Sequence, residues 1–168
     1  VIVSTAGKAL QDQLFEKDIP AVKRVLMNNA DVALLKGRSN YLCRYRMENV
    51  QTLPSPSAVQ DLAVIKLFAQ TTRTGDRTAV KGVAENSPVW PYVTSTNENC
   101  LGGKCPYAGE CFVTRARNRA RSAKVIVVNH HLFLSAMACQ ADDETIDAAE
   151  SMDDLMGQML PAPDSDEG

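Results

Sequence analysis

Four cysteines, Cys43, Cys100, Cys105 and Cys111, follow the pattern Cys-x56-Cys-x4-Cys-x5-Cys, with three thiols inside twelve residues and the fourth remote. An iron–sulfur cubane is held by four thiolates that converge from different directions. A turn-rich loop supplies three corners and a distant element closes the fourth. Gly102, Gly103 and Gly109 let such a loop wrap closely around a bulky inorganic core. Pro106 stiffens it directly after Cys105. The spacing is not the ferredoxin one. Zinc held by four cysteines is the chief rival, although zinc ribbons bring two close pairs rather than a triplet and a singleton. Buried free thiols are the plainest reading, but a polar, Gly-rich loop makes a poor core. Spacing alone therefore ranks a cluster first, zinc second and core thiols last. The fifth cysteine, Cys139, sits near Met137 on an apolar stretch and reads as a core residue. An odd cysteine count with no secretory signal argues against a disulfide framework.

Other residues bear chemistry in smaller groups. Ser4 and Thr5 stand where an apolar run ends and a helical stripe begins. Hydroxyls there cap the helix or meet a nucleic-acid phosphate. Between Phe112 and Lys124 the sequence sets Phe112, Val113, Ala116, Ala120 and Ala123 on one helical face. Arg115 and Arg119 flank one side of that face, and Arg117, Arg121 and Lys124 flank the other. Such a pattern is ordinarily a solvated amphipathic helix; a place directly after a cluster ligand raises the reading of contact with nucleic acid. His130 and His131, the only histidines, are adjacent and point to different helix faces, so capping or packing suits them better than metal ligation. Tyr41, Tyr45, Trp90, Tyr92 and Tyr107 all lie in or beside the cysteine region. They suit base stacking and equally the core of a small domain.

The elements that must position these groups can be read from hydrophobic period and breakers. Val1–Thr5 reads as a short buried strand. Ala6, Leu10 and Leu14 mark a helix that Pro20 ends or bends, and Ala21–Met27 a further helical turn or two. Val32–Leu35 is a second strand. Asn40–Val50 is expected to be a short helix bearing Cys43. Ser57 is the expected cap of a helix over Ala58–Gln70. Residues 71–99 are turn-rich. Phe112–Lys124 is a helix, Val125–Val128 a third strand, and Asn129 caps a helix running to about Cys139. Strand, helix, strand at the start indicates α/β organisation.

Composition narrows the class. The 168 residues hold 45% hydrophobic side chains and a net charge of −2, but the mean hides an asymmetry. Residues 140–168 carry ten acids and no Lys or Arg, leaving 18 bases against 10 acids, or +8, in residues 1–139. A basic body points weakly towards nucleic acid, and an acidic tail of this kind is expected to be flexible. No apolar run approaches a membrane span, and no signal peptide opens the chain, so a cytoplasmic location is expected. A strand-like start without Met suggests a piece of something larger.

Four stretches are similar, in order, to one family. Val3-Ser4-Thr5-Ala6-Gly7-Lys8-Ala9-Leu10-Gln11-Asp12-Gln13-Leu14 resembles helicase motif Ia of the DinG/YoaA group, bacterial relatives of XPD. Leu34–Cys43 is similar to the approach to that group's first cluster cysteine, Cys100–Cys111 to its closing triplet, and Val127–Phe133 to the return into the motor domain. Thr74-Gly75-Asp76 also resembles a turn of its cluster domain. The resemblance covers roughly residues 1–137. It implies an α/β chain: part of a RecA-like motor domain, interrupted by a mainly helical, loop-rich iron–sulfur domain. On that division residues 1–42 and 112–139 belong to the motor, 43–111 to the insertion, and 140–168 to the acidic tail.

The resemblance further implies a [4Fe–4S] cluster on Cys43, Cys100, Cys105 and Cys111. It implies contacts to single-stranded or fork DNA near the strand-separation point from Ser4, Thr5, Arg115 and Arg119, and ATP-driven 5′→3′ unwinding in repair or replication by the parent protein. ATP and Mg belong to that parent only. Gly7-Lys8 is not a Walker A, since Ile2 and Ala9 replace the Gly and Ser/Thr that the motif needs. Asp166-Glu167-Gly168 lacks the apolar strand that precedes a DEAH-type box. This segment alone is therefore expected to be inactive. A zinc-stabilised nucleic-acid-binding module and an electron-transferring iron–sulfur protein are the alternatives. The sequence names no protein partner.

Overall fold

Short β-branched runs separated by helical stripes give a mixed helix and parallel-sheet fold. A computed structural model describes residues 1–25, 30–130 and 132–134. These form two compact units, one of the described residues up to Val32 with those from Lys124 to Leu134, the other of Ala33–Ala123.

In the first unit β1 (Ile2–Thr5) pairs in parallel with β3 (Val125–Asn129), in the register Ile2↔Ile126 to Thr5↔Asn129. On the other side of β3, the N–H groups of Lys124 and Val125 donate to the carbonyl of Asp31, just before β2 (Val32–Leu35) begins. Ile126, Val127 and Val128 are buried, as expected of an apolar strand covered by helices. Helix α1 (Lys8–Gln13) packs on this sheet through Gln11, which is 1% exposed and donates from Nε2 to the Val127 carbonyl at 3.4 Å.

One expectation for this unit needs correction and a second is narrowed. The N-cap of α1 is Gly7, with no side-chain cap bond, so neither Ser4 nor Thr5 caps it. The Thr5 hydroxyl instead donates to the Gly7 carbonyl at 3.5 Å, and the Ser4 hydroxyl bonds Nδ1 of His130. Of the two outcomes expected at Pro20, ending the helix does not occur. A π-helical stretch, Leu14–Asp18, leads straight into α2 (Ile19–Val25), in which Pro20 is the second residue. A proline removes one helical N–H and crowds the carbonyl four residues back, and the wider π turn accommodates both.

The second unit is built on helices and short 3-10 turns: α3 (Arg44–Glu48), α4 (Pro56–Thr71), α5 (Trp90–Val93) and α6 (Phe112–Ser122). Their core joins Tyr41, Leu42, Met47, Ala58, Ile65, Ala69, Val80, Val89, Trp90, Val93, Phe112 and Val113. Residues on both sides of the 43–111 stretch thus share its core, and the compact unit runs from Ala33 to Ala123. The cap of α4 is Ser55, whose Oγ accepts from Ala58 N–H at 3.2 Å, rather than Ser57. Pro56 at the first helical position, pre-set in φ, moves the start two residues earlier than expected. The expected helix over Asn40–Val50 shrinks to α3, because Arg38–Asn40 form a 3-10 turn and Tyr41 and Leu42 are extended in bridges to Asp76 and Thr94. Residues 132–134 are helical; His131, Cys139 and the whole acidic tail lie outside the described residues.

Candidate metal centre

Each cysteine of the pattern sits at the end of an element or turn, where its backbone is fixed but its thiol is half-exposed. Cys43 is the N-cap of α3, and its N–H donates to the Val93 carbonyl at 2.7 Å. Cys105 closes the 3-10 turn Gly102–Lys104, and Gly102 at φ 55 supplies the left-handed residue that starts that turn. Cys111 closes the turn Ala108–Glu110 and is also the N-cap of α6. Cys100 accepts from the Gly102 N–H at 3.4 Å. All four are free thiols and half-buried.

Cys43 feels two of the other thiols. Burial pushes the Cys43 thiol up, hydrogen bonds from the Arg46 backbone and the Ser95 side chain pull it back, and the thiols of Cys105 and Cys111 push it up again. Cys100 stands near two cations. Arg38 donates from Nη1 to its sulfur at 3.0 Å, and from Nε to Asn97 Oδ1 at 3.1 Å. Burial lowers the affinity of Arg117 for its proton, Arg38 lowers it further, and Cys111 and Cys100 raise it. Among the described residues no group of three or more His, Cys, Asp or Glu side chains is arranged to hold one metal ion. A single zinc draws four sulfurs to about 2.3 Å from one point. A four-iron core binds its ligands at separate corners. Four half-buried free thiols, one of them met by the Arg38 guanidinium, are donors of the type that a thiolate-ligated [4Fe–4S] group takes.

The sequence missed Arg38; for the arginines of α6, Arg117 among them, the dianionic charge of a four-thiolate [4Fe–4S] core already made a charge-offsetting role an expectation. A guanidinium one turn and a half along α6 from Cys111 was legible as a flank of the apolar face. Only the folded chain shows it to be partly buried beside sulfur.

Arg115 and Arg119 are exposed on α6, with Arg115 also 5.9 Å from the Phe112 ring centroid. The expected apolar face is buried at Phe112, Val113, Ala120 and Ala123. Ser4 and Thr5 lie in the first unit and the two arginines in the second. Ser4 is half-buried and Thr5 only 5% exposed. Of the aromatic side chains, Tyr41 and Trp90 are core residues rather than stacking surfaces. Tyr41 accepts from Lys36 N–H at 3.0 Å, and burial pushes its phenol up to about 12. Trp90 donates from Nε1 to the Ala84 carbonyl, under the Arg77 guanidinium at 4.8 Å. Tyr45, Tyr92 and Tyr107 remain half-exposed.

No helix among the described residues is long and apolar enough to cross a membrane. No protein-family profile matches the chain. Among curated proteins it is 44% identical over 171 residues to the ATP-dependent DNA helicase YoaA of Escherichia coli, covering 94% of this chain and 27% of that protein. Identity to YoaA of Haemophilus influenzae is 46% over 140 residues, covering 82% of this chain and 22% of the relative. The ATP-dependent helicase DinG of Mycobacterium tuberculosis is 40% identical over 155 residues, covering 79% and 23%. The chain thus spans about a quarter of the length of the relatives it matches. Identity at this level across most of the chain shows that it belongs, as a segment, to the DinG/YoaA group of ATP-dependent helicases.

Proposed function

We propose that this chain is the cluster-bearing segment of an ATP-dependent DNA helicase, with Cys43, Cys100, Cys105 and Cys111 as thiolate ligands of a [4Fe–4S] group. What supports the reading is four half-buried free thiols held at the ends of elements or turns, with the Arg38 guanidinium on the Cys100 sulfur at 3.0 Å. When bound, such a group supplies a rigid four-cornered cross-link and a site for one-electron chemistry. The chain's own residues do the rest. Arg38 orients the Cys100 sulfur and Arg117 offsets thiolate charge. The ends of α3 and α6 fix Cys43 and Cys111.

The exposed Arg115 and Arg119 bind the phosphates of single-stranded DNA beside the cluster, near the point where strands part. Ser4 and Thr5 contribute backbone contacts from the motor portion, in which β1 and β3 form part of a RecA-like sheet and α1 packs on it. In the whole protein, ATP hydrolysis elsewhere in the chain drives 5′→3′ unwinding during repair or replication.

Metal and acid-labile sulfide analysis of anaerobically purified protein tests the cluster. Iron and sulfide in equal amounts, with broad absorption near the blue end of the visible range, is the expected result. Stoichiometric zinc without sulfide would sink this reading in favour of a zinc-stabilised module.

A further inference from the structure

The turn Thr74-Gly75-Asp76 carries no thiol, yet it is tied to the neighbours of two of the four cysteines. Gly75 adopts a left-handed φ of 64°, and a Cβ placed on it would stand 2.2 Å from the Phe112 ring. Phe112 is 1% exposed and directly follows Cys111. The carbonyl of the same Gly75 accepts from the N–H of Leu42, which directly precedes Cys43, at 2.8 Å. The next residue, Asp76, bridges Tyr41 in antiparallel fashion and pairs with Lys36 Nζ at 2.7 Å. That ion pair is shielded, with the Lys36 side chain 2% and the Asp76 side chain 15% exposed. Asp76 Oδ1 also accepts from the N–H and the hydroxyl of Thr78, which locks the turn internally.

We propose that this turn is a spacer that sets the separation of Cys43 and Cys111, and that Gly75 is a positioning residue for the metal centre. The inference rests on the four-cysteine cluster reading. On one side the turn grips the backbone leading to Cys43. On the other, its bare Cα face is the wall against which Phe112, and with it the start of α6, comes to rest. A side chain at position 75 displaces the ring and carries Cys111 away from a Cys43 still held by the Leu42 bond. An inorganic core does not stretch to follow, so one ligand loosens.

Left-handed backbone strain alone must be separated from this contact, and Gly82 provides the control. It has a φ of 85°, but an added methyl there would meet nothing within 4 Å, so Gly82→Ala carries left-handed backbone strain without the ring. Anaerobically purified wild type, Gly75→Ala and Gly82→Ala are compared for iron and sulfide per chain, for the rate at which blue absorption decays under an iron chelator, and for the urea midpoint by far-ultraviolet circular dichroism. Gly75→Ala is expected to lose absorption about tenfold faster or more, the range seen when supports of metal ligands are removed, while Gly82→Ala behaves as wild type. Equal decay rates in the two alanine variants, or a faster rate matched by an equal fall in urea midpoint in both, overturn the spacer. Should Gly75→Ala not fold, Asp76→Asn breaks the Lys36 pair and keeps the shape of the turn; faster decay supports the spacer and a wild-type rate overturns it. A wild type free of iron and sulfide removes the cluster reading itself, a result distinct from a loaded wild type that tolerates Gly75→Ala.

Discussion

A ligand sulfur and a packed sulfur differ in what can replace them. Serine is nearly isosteric with cysteine, so Cys→Ser changes donor chemistry far more than volume. Cys43→Ser, Cys100→Ser, Cys105→Ser and Cys111→Ser are each expected to abolish or sharply reduce bound iron, whereas Cys139→Ser keeps it; iron per chain after anaerobic purification decides. Phe112 belongs to the same scale. At 1% exposure it is among the largest fully buried side chains, and both Arg44 and Arg115 lie over its ring, at 5.0 and 5.9 Å. Phe112→Ala should cost about 3–5 kcal/mol of unfolding free energy, read as a lower urea midpoint. The Lys36–Asp76 pair carries a comparable penalty. Removing only Lys36 leaves the shielded Asp76 carboxylate with its Thr78 bonds but without its cation, and Lys36→Met is expected to destabilise by up to about 3 kcal/mol.

Among the elements, α6 joins both proposed roles. It starts at Cys111, seats one apolar face in the core and leaves Arg115 and Arg119 exposed one turn apart. If these arginines meet phosphates, each release of a counterion contributes about 0.7 to the log–log salt slope on single strands. Arg115→Ala with Arg119→Ala should therefore weaken binding alike across sequences and flatten the slope by about 1.4, with the blue absorption intact. An unchanged affinity and slope would leave them as a solvated flank. Helix α4 depends on a different device: its first turn is closed by Ser55 and Pro56. Ser55→Ala should cost about 1 kcal/mol, the usual worth of a side-chain N-cap, without altering iron content.

For the whole molecule, the balance of charge and the missing motifs govern behaviour. Neither a Walker A lysine nor its phosphate-cradling loop occurs in these 168 residues, so the isolated chain is expected to show no DNA-stimulated ATP hydrolysis above that of a mutant control. The +8 body and the ten acids of residues 140–168 oppose each other. Removing residues 140–168 should tighten DNA binding at low salt, and the gain should fade as salt screens the attraction between tail and body.

How much of this was legible without a structure follows from the range of the forces involved. Strands β2 and β3 and helices α4 and α6 could be read to within a few residues, because hydrophobic period is a local property. The motif-bearing stretches likewise pointed to the helicase group that the similarity to YoaA and DinG bears out. Local chemistry misled at a helix start, where Ser57 competes with Ser55, and left open at Pro20 what the π turn decides, that the helix carries on past it. The cysteine pattern named the thiols from spacing alone. Spacing is silent on which charges stand beside them, since Arg38 meets Cys100 across 62 positions of sequence. Only tertiary packing decided that Tyr41 and Trp90 lie inside rather than on a surface, and that Gly75 touches the neighbours of both Cys43 and Cys111. Those contacts join segments far apart in the chain, and no local pattern encodes which distant side chain will close a given space.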